Sequence, residues 1–456
     1  MNPWGNAKYE AAAAVAMKLR AAGHEAFFAG GCVRDLLLGI EPKDYDVATS
    51  AHPEQVMKLF AKTLAVGARF GVVLVVDGDI ATEVATYRSD GAYSDGRRPD
   101  AVKYSTDARE DVLRRDFTIN GMLMDPAIYR ETDDVDAAVM DYVHGRADLQ
   151  AGVVRAIGDA ALRFSEDKLR MLRAVRFAAR FEFEIEAKTF AAMRAQAAEI
   201  GAVSAERVRE ELSRMLTEGH ARRAFELLDA SGLLRELLPE LVKMHGVAQP
   251  PVYHPEGDVW THTMLMLEQL PAGCSATLAW GVLLHDAGKP ATFTAPKTAD
   301  DRIRFNGHVE VGVRMAEAIA ERLRFSNDER AQVSALVKNH MRFGDVMGMK
   351  ESTLKRFLRL EKFDEHLALH RMDSLGSRGD LTLYEFAKKV HETMPAEAVR
   401  PELLVTGREL IAAGYEPGAR FKEILLFVED AQLEGRVKSI EEAMELVLHR
   451  YPLPPR

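Results

Sequence analysis

The segment GGCVRDLLLGIEPKDYDVAT, Gly30 to Thr49, holds the residue types that chemistry on a nucleoside triphosphate requires. Gly30 and Gly31 close an apolar run, and a glycine pair lets backbone amides approach a phosphate with no side chain in the way. Arg34 follows where a helix should begin, so its guanidinium can join the same anion site. Asp44 and Asp46 stand two apart in a strand-like stretch, and the period-two geometry of a strand sends both carboxylates to one face. Two carboxylates beside a triphosphate cradle can hold a pair of Mg2+ ions about 3.5–4 Å apart, which activate an attacking hydroxyl and stabilise departing pyrophosphate. Taken singly, a Gly-Gly pair is a turn and an Asp-x-Asp pair is a solvated strand end. Joined by VRD at this spacing they read as a nucleotide site.

A second set of residues lies in EDKLRMLRAVRFAARF. Leu169, Leu172, Val175 and Phe177 supply apolar contacts, while Asp167, Arg170, Arg173 and Arg176 recur every three residues and predict a shared helix surface. Asp167 can accept a hydrogen bond from an exocyclic amine and Arg170 can donate to a ring or carbonyl acceptor. Cytosine and adenine both present an amine beside an acceptor, so this pair would select C and A against G and U with no template. Read without the upstream segment, the same spacing is an ordinary ion pair on a solvated helix, worth little.

The second half of the chain holds His254, His262, the pair His285-Asp286, His308, His340 and Asp373. Imidazoles and carboxylates drawn from separate helices can hold a divalent cation inside a bundle, and the bound water then becomes a nucleophile for a phosphoester. The bland alternative is that 14 histidines must fall somewhere, and a single buried histidine is usually only hydrogen-bonded.

These residues need elements to position them. AAAAVAMKLRAAG reads as a helix stopped at Gly23, followed by strand-like runs with a hairpin turn at Asp77-Gly78-Asp79. Ser89 to Asp100 is rich in Gly, Asp and Arg and reads as an exposed loop. From about Ala160 helical periodicity dominates. Pro250, Pro251 and Pro255 interrupt it, a loop follows at Ala295 to Asp301, and AAGYEPGARF precedes a last helical stretch. No internal repeat or low-complexity tract is present. At 456 residues the chain is long enough for about three domains, and 47% hydrophobic with 29% charged residues is an ordinary globular balance. Two cysteines, Cys32 and Cys274, fit a reducing compartment without a disulfide partner. No apolar run approaches bilayer length and MNPWGNAKYE lacks a signal-peptide pattern, so the expected location is cytoplasmic, with no membrane partner. The net charge of −10 argues against a protein coated in nucleic acid, but the basic run Arg155, Arg163, Lys168, Arg170, Arg173, Arg176 and Arg180 marks where a polyanion would bind.

GG-x-VRD followed by D-x-D resembles the head of the class II tRNA nucleotidyltransferase and bacterial poly(A) polymerase family. RRDFTIN, Arg114 to Asn120, resembles that family's next motif, and the likeness continues in order through DLQAGVVRAIGD and EDKLRMLRAVRFAARF to ERVREELSRML, ending at Leu216. The resemblance implies that Arg115 and Asp116 contact the sugar and phosphates of the nucleotide and that Asp167 and Arg170 read the base. It further implies that Arg173 and Arg176 touch the triphosphate or the base-side pocket, and that Glu206 and Arg207 brace the nucleotide-binding helix. Glu83, in EVATYR, stands where a third carboxylate could sit. VWTHTM, VLLHDAGKP, NGHVEVG, LVKNHM and LHRMDSL each resemble a segment of the HD phosphohydrolase superfamily. That likeness implies a divalent cation held by His262, His285, Asp286 and Asp373, with a bent helix at His285-Asp286 and a second ion at His308 and His340. The stretch PELLVTGRELIAAGYEPGARFKEILLFVEDAQLEG resembles the end of HD-bearing nucleotidyltransferases. It is expected to grip the tRNA elbow or to serve as a packing cap.

The expected fold is α+β: a five-stranded polymerase-β-like head over residues 1–145, an all-α neck and body with an RNA-binding surface over 146–250, an HD domain over 251–380 and a helical tail over 381–456. The expected reaction is template-independent addition of CCA, from CTP and ATP, to the 3′ end of tRNA, gripped at its acceptor stem and elbow, with Mg2+ in the head and a divalent metal in the HD domain. The loop from Ser89 to Asp100 would move when specificity switches from C to A. Poly(A) polymerase and enzymes adding only CC or only A share these motifs. A poly(A) polymerase would be expected to carry a long basic extension, and LVLHRYPLPPR is short and only weakly basic. A chain whose main activity is HD phosphohydrolysis, and an RNA-binding protein without catalysis, are alternatives of other classes.

Overall fold

Asn6 starts the first helix, Ala7–Ala21, by accepting the N–H groups of Lys8 and Tyr9, and Gly23 at φ 87° turns the chain out of it at the expected stop. The computed structural model describes residues 5–67, 71–90, 102–298 and 301–453. The chain divides into two units, Met1–Val242 and Lys243–Arg456.

In the first unit, strands β1 (Ala26–Ala29), β2 (Val47–Thr49), β3 (Thr63–Gly67), β4 (Val72–Asp77) and β5 (Ile80–Thr86) are followed by a separate pair, β6 (Arg88–Asp90) and β7 (Val102–Tyr104). Then come β8 (Met122–Met124) and β9 (Val139–Asp141). β4 and β5 form the expected hairpin, with Asp77 paired to Ile80 across Gly78-Asp79. The main sheet runs β3-β4-β5-β2-β1-β8-β9, with β2 and β5 parallel and every other neighbouring pair antiparallel. It therefore has seven strands where five were expected. The additions β8 and β9 are three residues each, too short to show a period-two pattern. Ser89 and Asp90 belong to β6, but the rest of the loop to Asp100 lies outside the described residues.

Below the sheet the chain turns helical. One small exception interrupts the expected all-α neck: β10 (Val153–Val154) pairs in parallel with β11 (Glu184–Ile185). Helix Leu169–Arg180 packs on helices Ala205–Thr217 and Ala221–Ala230, burying Leu172, Ala174, Val175 and Ala178.

The second unit is helical. Helices Val259–Glu268, Ala276–Leu284, His308–Arg322, Asn327–Asn339 and Phe363–Gly376 make one bundle. Nearer the end, Leu410, Tyr415, Ile424, Val428 and Val447 form a core of their own. Among the described residues no helix is long and apolar enough to cross a membrane.

Candidate active site and metal cluster

β1 ends at Ala29, and Gly30 turns the chain at φ 74°, ψ −124° into the helix Gly31–Leu37. That φ favours glycine, and a Cβ at Gly30 would meet Arg115 Nη1 at 3.1 Å. Gly30 and Gly31 form one lip of a cleft that Asp46, Glu83 and a row of arginines also line.

The two aspartates were expected inside a strand. They precede it, because pairing with β5 begins only at Val47, opposite Val84. Asp46 still joins the sheet, its carbonyl accepting the Ala29 N–H at 3.0 Å. Tyr45 between them is buried, and the environments of Asp44 and Asp46 differ. Asp46 lines the cleft. The Asp44 side chain is 73% exposed and accepts Lys8 Nζ at 2.9 Å. Burial, reinforced by the Glu83 carboxylate, pushes Asp46 up to about 7 against the opposing pull of Arg115. Burial raises Glu83 likewise. Two carboxylates that resist ionisation side by side form a hard-oxygen donor set suited to Mg2+.

Most of the arginines of the cleft have a carboxylate holding them. Arg34 is buried, bonded to Asp35 at 2.6 Å and Asn120 at 2.6 Å, with its guanidinium 4.6 Å from the Phe181 ring centroid. Arg114 and Arg115 share Asp111, at 2.6 and 3.0 Å. Arg173 pairs with Asp116 at 2.7 Å; although burial opposes ionisation, this guanidinium holds the Asp116 carboxyl down to about 2. Arg176 is buried and bonded to Glu211 at 2.7 Å, so it reaches the cleft with its charge already matched.

Asp167 and Arg170 both line the cleft but do not lie on one helix surface as expected. Asp167 caps the helix Ala160–Glu166 in an extended conformation, φ −145°, and the helix Leu169–Arg180 starts after it. Its carboxylate accepts the Leu169 N–H, and a side chain engaged with its own backbone breaks a helix at that point. Asp167 pairs with Arg207 at 2.8 Å, and Arg170 pairs with Glu166 at 2.7 Å. The brace expected from Arg207 is therefore present and acts on Asp167 itself, whereas Glu206 is exposed.

In the second unit His262, His285, Asp286, His308, His340 and Asp373 come together. His262 Nε2 lies 3.2 Å from Asp373, His285 Nε2 lies 3.1 Å from Asp286, and His308 and His340 lie 3.8 and 3.7 Å from the other oxygen of Asp286. The expected bend is present: the helix Ala276–Leu284 ends at His285, which lets adjacent side chains face one centre. Nδ1 of His285, His308 and His340 meets the backbone carbonyl three residues earlier, at 2.8, 2.9 and 2.7 Å. A carbonyl only accepts, so Nδ1 carries the proton and Nε2 presents its lone pair to the cluster. His285 Nε2 and Asp286 Oδ1 are buried without a hydrogen-bond partner, which is the signature of a cation-binding donor set. Two groups of possible ligands, His262-His285-Asp286 and Asp286-His308-His340, share Asp286. Burial pushes His340 down to about 4. The same burial disfavours charge on His262, but Asp373 and Glu256 override it and lift His262 to about 9.

Sequence reasoning missed Asp111, Glu211, Glu256 and Lys289. Asp111 had a signal, its spacing of three and four from Arg114 and Arg115. Lys289, bonded to Asp286 at 2.6 Å, stands in the quoted VLLHDAGKP. Glu211 reaches Arg176 through the tertiary fold, whereas Glu256 lies within six residues of both its partners, His254 and His262.

The chain matches three family descriptions: a Poly A polymerase head domain over residues 26–155, a probable RNA and SrmB- binding site of polymerase A over 182–244, and an HD domain over 258–375. It is 31% identical to a CCA-adding enzyme of Pediococcus pentosaceus over 92% of both chains. It is also 31% identical to that of Bacillus pumilus, over 93% of this chain and 92% of that one. The CCA-adding enzyme of Lactobacillus helveticus is 42% identical over a shorter stretch, 47% of this chain and 51% of that protein. Among solved structures, the Bacillus stearothermophilus CCA-adding enzyme in complex with CTP superimposes with a TM-score of 0.74 at 26% identity, over 99% of each chain. With head, RNA-binding and HD segments in this order, and with likeness to curated relatives along nearly its whole length, the chain belongs to the CCA-adding enzyme family of nucleotidyltransferases.

Proposed function

We propose that this protein adds C, C and A to the 3′ end of tRNA from CTP and ATP, releasing pyrophosphate. The observation that supports it best is the single cleft in which Asp46 and Glu83 meet Gly30, Gly31 and the arginine row. Asp44, Asp46 and Glu83 would hold Mg2+, Asp44 after leaving Lys8. Bound there, the metal supplies activation of the tRNA hydroxyl and charge stabilisation on the departing pyrophosphate. The amides of Gly30 and Gly31, with Arg34 and Arg173, receive the triphosphate, and Arg115 and Asp116 receive ribose and phosphate.

Asp167 and Arg170 read the base. A carboxylate offers about four lone-pair sites, so Asp167 held by Arg207 can still accept an exocyclic amine. Arg170 donates to Glu166, Arg163 O and Arg114 O, and a guanidinium has five N–H groups, so donors remain for a base. Guanine and uracil present a carbonyl where cytosine and adenine present the amine, and a carbonyl facing Asp167 is repelled. Arg176, its charge already matched, acts by placing Phe177 and its helix. The four segments 1–145, 146–250, 251–380 and 381–456, the loop at Ser89 to Asp100 as the C-to-A switch, the tail's hold on the tRNA elbow, and a cytoplasmic location complete this reading.

Extension of a tRNA lacking its 3′ end, resolved to single nucleotides, tests it. Three steps ending in CCA, lost in Asp46→Ala, are expected. A long A ladder would make the chain a poly(A) polymerase, arrest after CC or addition of A alone would make it a split-function enzyme, and no extension would refute the head reading.

The buried His/Asp cluster favours a second activity, divalent-metal-dependent hydrolysis of a phosphoester in the second unit. Mn2+-dependent release of nitrophenol from bis(nitrophenyl) phosphate, lost in Asp286→Asn, is the expected result.

A further inference from the structure

Four imidazoles face the HD cluster, and three of them are oriented by backbone. His285 and His340 follow the ends of helices and His308 begins one, so each Nδ1 finds a carbonyl three residues back. His262 cannot use that device. It is the fourth residue of the helix Val259–Glu268, and the carbonyl three residues before it, that of Val259, already receives Thr263 Oγ1 at 2.9 Å. What holds its Nδ1 instead is Glu256 Oε1, at 2.7 Å. The same oxygen holds Nδ1 of His254 at 2.8 Å, and the Glu256 side chain is 8% exposed.

The local chain delivers Glu256 to this place. Asp258 caps the helix by accepting the Thr261 N–H, and it also accepts the Gly246 N–H at 2.6 Å, which pins the turn. Gly257 stands between cap and carboxylate at φ 128°, a conformation L side chains rarely adopt, so the reversal that brings Glu256 back over His262 depends on glycine there.

We propose that Glu256 is the positioning residue of the HD metal centre: it fixes the His262 ring and tautomer so that Nε2 faces the cation, and with the same oxygen holds His254 in the wall of the adjoining cleft. An ionised carboxylate only accepts, so His262 Nδ1 carries the hydrogen and Nε2 is the nitrogen left to bind metal, which lies on the Asp373 side. His254 lines the cleft that also exposes Asp286, His308, His340 and Asp373, where a substrate phosphoester would lie. His254, Glu256 and His262 come close enough to form a cation site themselves. That arrangement would require His262 to ligate one cation through each nitrogen, which demands a fully deprotonated imidazolate. A carboxylate–imidazole–metal relay needs only the neutral ring. The proposal rests on the reading that the HD cluster binds a divalent cation.

The test uses the full chain in an Asp46→Ala background, which removes the main cation site of the head from the count. Mn2+ affinity is measured by titration calorimetry, and the melting temperature is followed with and without Mn2+. Glu256→Gln is expected to weaken Mn2+ binding by about 10–100-fold while the metal-free melting temperature stays close to that of the parent. Equal Mn2+ affinity in parent and Glu256→Gln overturns the proposal. A lowered metal-free melting temperature with unchanged affinity also overturns it, since that is what a packing role alone gives. Should Glu256→Gln not fold, Glu256→Asp keeps the charge on a stem one methylene shorter and must still bind Mn2+ more weakly than the parent; parent-like affinity there overturns the idea. A parent that takes up no Mn2+, with Asp286→Asn indistinguishable from it, refutes the HD reading beneath the proposal, an outcome distinct from the others.

Discussion

Asp46 lies where burial and the neighbouring Glu83 both make a negative charge costly, and only Arg115 offsets them. Such a carboxylate gains most from a divalent cation, so its removal should be felt in catalysis far more than in tRNA binding. Asp46→Ala is expected to slow nucleotide addition by about 1000-fold or more, roughly 4 kcal/mol of transition-state stabilisation, with tRNA affinity retained in a filter-binding assay. Asp116 shows the opposite balance. Its folded-state pKa of about 2 lies below the unfolded value of 3.8, so its ionised form contributes stability that is fully present above pH 4 and is lost as pH falls toward 2. The size is about 2 kcal/mol. Comparing denaturant unfolding of the parent and Asp116→Asn across pH 2–5 checks this: the parent should lose more stability on acidification than the variant.

At the scale of elements, the helix Leu169–Arg180 is the part on which most of the cleft depends. It carries Arg170, Arg173, Arg176 and Phe177, and its inner face is locked to the helix Ala205–Thr217 through the buried Arg176–Glu211 pair. Breaking the pair from one side leaves Arg176 with only the longer contact to Glu218, at 3.5 Å, to offset its buried charge. Glu211→Ala should therefore cost about 3–5 kcal/mol in denaturant unfolding of the first unit. Glu211→Gln keeps one hydrogen bond to Arg176 and should cost less. The β1–helix turn is the other critical junction. Gly30→Ala brings a methyl group against Arg115 in a sparsely populated backbone region, φ 74° and ψ −124°, that costs alanine about 1–3 kcal/mol. Its effect is expected as a raised KM for both CTP and ATP, measured by steady-state extension.

At the scale of the whole molecule, one chain carries two centres of contrasting chemistry. The first unit offers carboxylate oxygens and guanidinium groups to a nucleotide, and the second offers imidazoles and carboxylates to a cation. Hard oxygen sets suit Mg2+, while imidazole-rich sets suit transition metals. Removal of metal by a chelator should accordingly abolish both activities, with Mg2+ restoring nucleotide addition and Mn2+ or a similar metal restoring the HD centre. Differential scanning calorimetry of the re-metallated protein, beside tRNA extension, separates the two.

Much of this was legible in the sequence. Glycine pairs, caps and hairpin turns act over a few residues, so the helix stop at Gly23 and the hairpin at Gly78-Asp79 followed from local chemistry, whereas the break at His285 followed from the resemblance to HD proteins. The order of GG-x-VRD, RRDFTIN, EDKLRML and the five histidine segments carried the family, the head followed by helices, and the residues that line the two centres. The tertiary structure alone decided how those residues are held. Asp167 meets Arg207 rather than Arg170, Asp44 turns to Lys8 while Asp46 faces the cleft, and β8 and β9 extend the sheet to seven strands. Arg176 finds its charge partner in Glu211, thirty-five residues on. A periodic pattern states which side of a helix or strand a residue occupies. Which of several carboxylates lies within 3 Å of a given cation depends on how separate elements pack, and charge, burial and hydrogen bonding settle that only once the chain has folded.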